Sequence, residues 1–196
     1  MTTTLLQDQP VLVLGLGQSG LAMARWCARC GAQVTVADTR EAPPMLVALR
    51  EQVPQARFVH GPLDASLLAG AAYRAVFRSP GLTPAQTEAI ERAAQTASLW
   101  VAGELALFIE ALRGLREQQG YAPQLLAVTG TNGKTTVTAL TGHLLRRAGV
   151  PVAVAGNIGP TLLDTLGAAL DAQSSGTSLP DRKSTRLNSS HEWISR

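Results

Sequence analysis

The stretch that decides the fold is VLVLGLGQSGLAMARWCAR, residues 11–29. It opens with a continuous apolar run, passes through glycines, and continues with apolar residues at helical spacing. A run that is apolar at every position reads as a strand buried on both faces, as in a parallel sheet covered by helices. Leu21, Ala24, Trp26 and Ala28 offer the packing side of a helix. Between the two, Gly15, Gly17 and Gly20 form G-x-G-x-x-G. Such glycines allow a tight turn and let backbone approach an anion at the helix N-terminus. The alternation continues outward. QVTVAD (33–38) is a second strand, and residues 45–52 are a helix. ARFVH and RAVFRS are strands separated by the short helical stretch DASLLAG. Thr83-Pro84 caps a helix over residues 85–96, SLWVAG is a further strand, and residues 104–115 form a helix. Strands alternating with helices predict an α/β chain with a Rossmann-like parallel sheet.

Composition narrows the function classes. The 196 residues are 45% hydrophobic but only 4% aromatic, so the core is built from Ala, Leu and Val. The net charge of +3 sits largely in the tail, where Arg182, Lys183, Arg186 and Arg196 face only Asp181 and Glu192. No basic patch with interleaved aromatics occurs elsewhere, which argues against a nucleic-acid partner. No apolar run reaches the length of a membrane span, and the first residues lack the charge and apolar core of a signal peptide. A cytoplasmic protein is expected. Cys27 and Cys30 form a single C-x-x-C with no second pair to complete a zinc site, and read as two thiols in a reducing compartment.

A second glycine loop follows the polar run RGLREQQGYAP (113–123), which reads as a linker. QLLAVTG (124–130) is predicted to be a strand, residues 135–148 a helix, PVAVAGN (151–157) a strand and residues 161–170 a helix. Between the first strand and helix stand Gly130, Thr131, Asn132, Gly133, Lys134, Thr135 and Thr136. Lys134 is the only lysine before Lys183, in a chain that otherwise writes positive charge as arginine. A compact ammonium suits the β- and γ-phosphates of a nucleotide, where a planar guanidinium fits poorly. Loop amides and the helix dipole add to the attraction, and the Thr135 hydroxyl can face Mg²⁺. The spacing departs from the common G-x-x-x-x-G-K-[ST] loop, because Val128 stands where that pattern has glycine. The domains expected are 1–118, a Rossmann-like substrate domain; 119–173, the cut-short start of a P-loop central domain; and 174–196, a tail. That tail is polar and aperiodic, and DRKSTRLNSSH resembles translated adapter DNA. It is expected to be disordered or not native sequence.

From the residues alone, the first loop and Asp38, at the end of the second strand, suit NAD or another diphosphate nucleotide. TGTNGKTT resembles the ATP-binding loop of the Mur ligases. GLGQSG, ADTR (37–40), RSPGL (78–82) and GNIG (156–159) follow the order found in the D-glutamate-adding branch of that family. The resemblance implies an ATP- and Mg²⁺-dependent, amide-forming ligase of peptidoglycan synthesis. Its substrates would be UDP-N-acetylmuramoyl-L-alanine and D-glutamate, joined through an acyl phosphate. It implies that the first domain binds the UDP part, with Gln18 and Ser19 at the diphosphate and Thr39 and Arg40 near the uridine. Ser79 and Gly81 would line the nucleotide site, and Asn157 would touch substrate from the central domain. Lys134 and Thr135 would be the catalytic residues, with Thr135 also at the metal. A monomer is expected, with no membrane insertion. The family's second metal-binding Glu and His, its modified lysine and its amino-acid-binding domain are not identifiable here; His60, His143 and His191 do not match those positions. The chain by itself is therefore expected not to turn over. The alternative is a regulatory NAD-binding Rossmann module joined to a P-loop unit.

Overall fold

The structure, a computed structural model, describes residues 6–156 and 159–174. The chain divides into two compact units, Met1–Gly114 and Leu115–Arg196.

The first unit is a five-stranded, all-parallel sheet with helices. Its strands are β1 (Pro10–Leu14), β2 (Gln33–Asp38), β3 (Arg57–His60), β4 (Ala75–Arg78) and β5 (Trp100–Gly103), in the order β3-β2-β1-β4-β5. The central strand, β1, is the most apolar, and Val11 to Leu14 are fully buried. The edge strands β3 and β5 are only partly covered. The chain leaves β1 toward β2 on one side and returns to β4 on the other. Right-handed crossovers then place α1 (Gln18–Arg29) and α2 (Leu46–Gln52) on one face and α3 (Pro84–Thr96) on the opposite face. Packing agrees: Leu12 and Leu14 share a core cluster with Val76 and with Ile90 and Ala94 of α3. Strand alternation turns Val11 and Val13 to the other face. Each such buried aliphatic side chain contributes about 1.5–3 kcal/mol. Phe77 and Trp100 meet edge to face across β4 and β5, with ring centroids 5.1 Å apart.

The local signals act as expected. Helix α3 starts at Pro84, and the N–H of Thr83 donates to Gln86 Oε1 at 2.9 Å. The stretch DASLLAG makes a single 3₁₀ turn, Ala65–Leu68. Helix α4 runs over Glu104–Gln119, so residues 113–119 of the expected linker are helical. Their Arg, Glu and Gln side chains are polar but favour helix, and the buried Leu115 anchors the segment, so polarity alone misreads it as linker.

In the second unit α5 spans Lys134–Arg147 and α6 Leu162–Ser174. The strands expected over 124–130 and 151–157 are not formed in the described residues. An apolar alternating run becomes a strand only when its N–H and C=O groups find a ladder partner, and none pairs with either segment among the described residues. The second of these segments still packs on α5: a Cβ at Gly142 would lie 2.6 Å from Val154 Cγ2. Val137, Leu140 and Leu144 form a stripe on α5 that is about half exposed. Of the expected tail, 174–196, Ser174 is the last residue of α6, and residues 175–196 lie outside the described residues, as does Asn157.

Candidate functional site

Two separate sites emerge, one in each unit. In the first, the register levels the C-terminal ends of three strands, because Leu14 pairs with Ala37 on one side and with Arg78 on the other. The crevice between β1 and β4 is the point where strand order reverses, the usual place for a ligand in an open parallel sheet. The loop after β1 begins with Gly15, whose φ of +83° favours glycine. Its N–H donates to Ala37 O at 2.8 Å. Gly20 lets α1 close onto this loop, since a Cβ there would lie 1.9 Å from Gly15 O. Over Gly17, by contrast, a Cβ would meet nothing within 4 Å. Gln18 and Ser19 form the first turn of α1, which holds no acidic residue, and its leading amides have no intrahelical acceptor. Negative charge is favoured there.

The turn after β4 closes over the same loop. Ser79 donates its N–H to Leu14 O at 2.9 Å and is buried, while Gly81 is exposed. Leu82 packs against Gly15, with its Cδ1 3.0 Å from where a Cβ would sit. Beneath the turn, Arg78 Nε lies 3.2 Å from Glu91 Oε1, which also accepts from the Thr87 hydroxyl at 2.6 Å. Sequence reasoning missed Leu82 and this brace; the Thr87–Glu91 spacing of one helical turn was its only trace.

At the end of β2, Thr39 and Arg40 are exposed and Asp38 is buried. Asp38 Oδ2 accepts from Leu16 N–H at 2.7 Å and from Arg40 Nη2 at 2.8 Å. Oδ1 accepts from the Arg40 amide at 2.9 Å and from Arg40 Nε at 2.8 Å. Burial by itself raises the carboxyl pKa. The Arg40 guanidinium and the amides of Leu16 and Arg40 outweigh it and hold the group at about 2. Gln18 and Ser19 at the start of α1, Thr39 and Arg40 after β2, and Ser79 and Gly81 after β4 thus all follow strand ends at this one end of the sheet. Cys27 and Cys30 are buried thiols with no disulfide between them; burial, then the neighbouring Cys30, pushes the Cys27 thiol up, away from a reactive thiolate.

The second site is the turn from Gly130 to Thr136. Gly130 and Gly133 take φ of +148° and +74°, and Gly133 is the N-cap of α5. Lys134 folds back over the turn, donating to Gly130 O and, at 3.2 Å, to Thr131 O. Thr131, Asn132, Thr135 and Thr136 are exposed around it. The first turn of α5 carries no acidic residue. An ammonium, uncapped helix amides and three hydroxyls in one exposed turn suit a polyanion such as a nucleotide phosphate chain with its cation. His143 is exposed, farther along α5.

Residues 9–101 match the model of the Mur ligase MurD-like, N-terminal domain, and residues 128–186 match that of the Mur ligase middle domain. The chain belongs to the Mur ligase family. Among Mur ligase relatives, the UDP-N-acetylmuramoylalanine–D-glutamate ligase of Albidiferax ferrireducens is 64% identical over 161 residues, covering 82% of this chain and 32% of that protein. The protein of the same name from Ralstonia nicotianae is 58% identical over 173 residues, covering 87% of this chain and 34% of its own. The chain thus spans about a third of the length of these Mur ligases. A solved murein peptide ligase from Psychrobacter arcticus is 21% identical with a TM-score of 0.48, covering 94% of this chain and 38% of that one.

Proposed function

We propose that the chain carries the UDP-binding and ATP-binding parts of a ligase that joins D-glutamate to UDP-N-acetylmuramoyl-L-alanine in peptidoglycan synthesis. The observation that carries this reading is the 64% identity with a protein named for that reaction. The loop geometry supports it. In this reading residues 1–118 form the UDP-substrate domain and residues 119–173 the beginning of a P-loop central domain. Gln18 and Ser19 hold the diphosphate on the first turn of α1, Thr39 and Arg40 lie at the uridine, and Ser79 and Gly81 line the opposite wall. Asn157 belongs to the central domain's share of the substrate site.

Forming an amide from a carboxylate requires activation, because a carboxylate is a poor electrophile. ATP with Mg²⁺ supplies the phosphoryl group for the acyl phosphate and neutralises charge as it is transferred. Lys134 moves off the carbonyls of Gly130 and Thr131 to hold terminal phosphate oxygens. The amides of residues 131–136 orient the phosphate chain, and the Thr135 hydroxyl faces the cation. D-glutamate then displaces phosphate through its amine. A precursor linked to UDP and a supply of ATP both belong to the cytoplasm, and the reading needs only one copy of the chain.

Calorimetric titration tests it. The chain is expected to bind UDP-N-acetylmuramoyl-L-alanine and, separately, Mg²⁺-ATP. Lys134→Ala is expected to lower ATP affinity at least tenfold and leave the UDP ligand unaffected, since a charge-assisted contact is worth about 1.5–3 kcal/mol. A chain that binds NAD⁺ in preference to the UDP ligand sinks the reading.

A further inference from the structure

We infer that Asp38 is a positioning residue that fixes ligand choice in the first unit by holding Arg40 toward the ligand, in place of binding a ribose itself. The inference rests on the proposed UDP site and adds what selects for it. A carboxylate has about four lone-pair sites. Asp38 receives four hydrogen bonds, two at each oxygen, from Leu16 N–H, Arg40 N–H, Arg40 Nε and Arg40 Nη2. Its acceptor capacity is full, and the residue is only 2% exposed. A dinucleotide site of the Rossmann type needs the acid at this position to accept from the ribose hydroxyls. Here the acid has nothing left to accept with.

The same four bonds tie three pieces together. Through Leu16 they hold the glycine loop after β1, through the Arg40 amide they shape the turn after β2, and through the guanidinium they set the Arg40 side chain. Two of the five guanidinium N–H groups are spent on Asp38, and the side chain is 53% exposed. The remaining donors form a fixed fork at the rim of the site. A site that would have received a hydroxyl donor becomes one that offers donors, so it selects ligand groups that only accept: a base carbonyl or a phosphate oxygen.

Binding of UDP and NAD⁺ to the full chain tests this, with Asp38→Asn, Arg40→Ala, their double variant and Arg40→Lys. Wild type is expected to bind UDP, with NAD⁺ unable to compete. Arg40→Ala is expected to weaken UDP about tenfold, and Asp38→Asn by a similar factor. Adding Asp38→Asn to Arg40→Ala is expected to cost clearly less than Asp38→Asn costs on its own, because the acid acts mainly through the arginine and only its hold on the backbone of Leu16 and Arg40 remains to be lost. A merely structural role would instead give additive losses. Arg40→Lys keeps the charge but loses the two-point hold, and is expected to behave like Arg40→Ala. This variant carries the test if Asp38→Asn does not fold. Uridine and inorganic pyrophosphate, titrated separately, tell whether the acceptor is the base or the phosphate; the one Arg40 meets weakens in Arg40→Ala. Undiminished UDP binding in Asp38→Asn, wild-type affinity in Arg40→Lys, or NAD⁺ binding as tightly as UDP each overturns the inference. A wild-type chain that binds no UDP defeats the proposed function instead.

Discussion

In the loop at residues 15–20, a Cβ on Gly20 would run into the Gly15 carbonyl oxygen at 1.9 Å, and one on Gly15 would press on Leu82 and Ser79. In the turn at residues 130–136, a Cβ on Gly133 would meet nothing within 4 Å, and one on Gly130 only Asn132 O at 3.8 Å. Both loops join an apolar segment to a helix. The first is held by what packs around it: the start of α1, the turn after β4 and the Asp38 carboxylate. The second keeps its shape through positive φ at two glycines and through Lys134 lying on its own carbonyls. The first loop therefore depends on its packing, while the second depends on its backbone and can be remodelled by what binds.

The largest expected effect follows from that contrast. Gly20→Ala forces backbone apart and is expected to cost about 3 kcal/mol or more, visible as a lower midpoint in urea. A loss below about 1 kcal/mol would mean the loop is not clamped. Next comes acid. The Asp38 carboxyl is held at about 2 in the folded chain, below the ordinary 3.8 of an aspartate, so its contribution is complete above the higher value and is lost as pH falls through the lower. About 2 kcal/mol of stability is expected to vanish between these values, and Asp38→Asn to abolish that part of the acid dependence.

A smaller effect belongs to the second loop. Gly133→Ala is expected to cost about 1–2 kcal/mol from left-handed strain, and Gly133→Asn noticeably less. Equal melting losses for the two would show that space, not backbone conformation, matters there. The smallest is Gly17→Ala, at an open position with a φ of −99°. Stability is expected to move by less than about 0.5 kcal/mol, while UDP affinity falls if the ligand approaches that backbone.

The first unit was the more legible because its signals are local. Val11 to Leu14, the glycines after them and the Thr83-Pro84 cap each announce an element within a few residues. In the second unit, residues 124–130 and 151–157 carry a strand's side-chain pattern, yet pattern cannot supply a ladder partner. Residues 113–119 were misread for the opposite reason, since good helix formers happened to be polar. Within the site, Asp38 stood at the position expected of a ribose-binding acid. That Arg40, two residues on, would turn back and fill it depends on the turn's geometry, which no spacing rule encodes. Residue type and spacing mark Lys134 as a candidate phosphate ligand, but they do not give its resting place on the carbonyls of Gly130 and Thr131.

The placement of indoles has a practical consequence. Trp26 is buried within α1 and Trp100 lies half-buried on β5, while no other tryptophan falls among the described residues. With Trp193 replaced by Phe, intrinsic emission becomes an optical channel for the first unit alone. Unfolding or ligand capture there changes the signal, and events confined to the Gly130–Thr136 turn leave it dark.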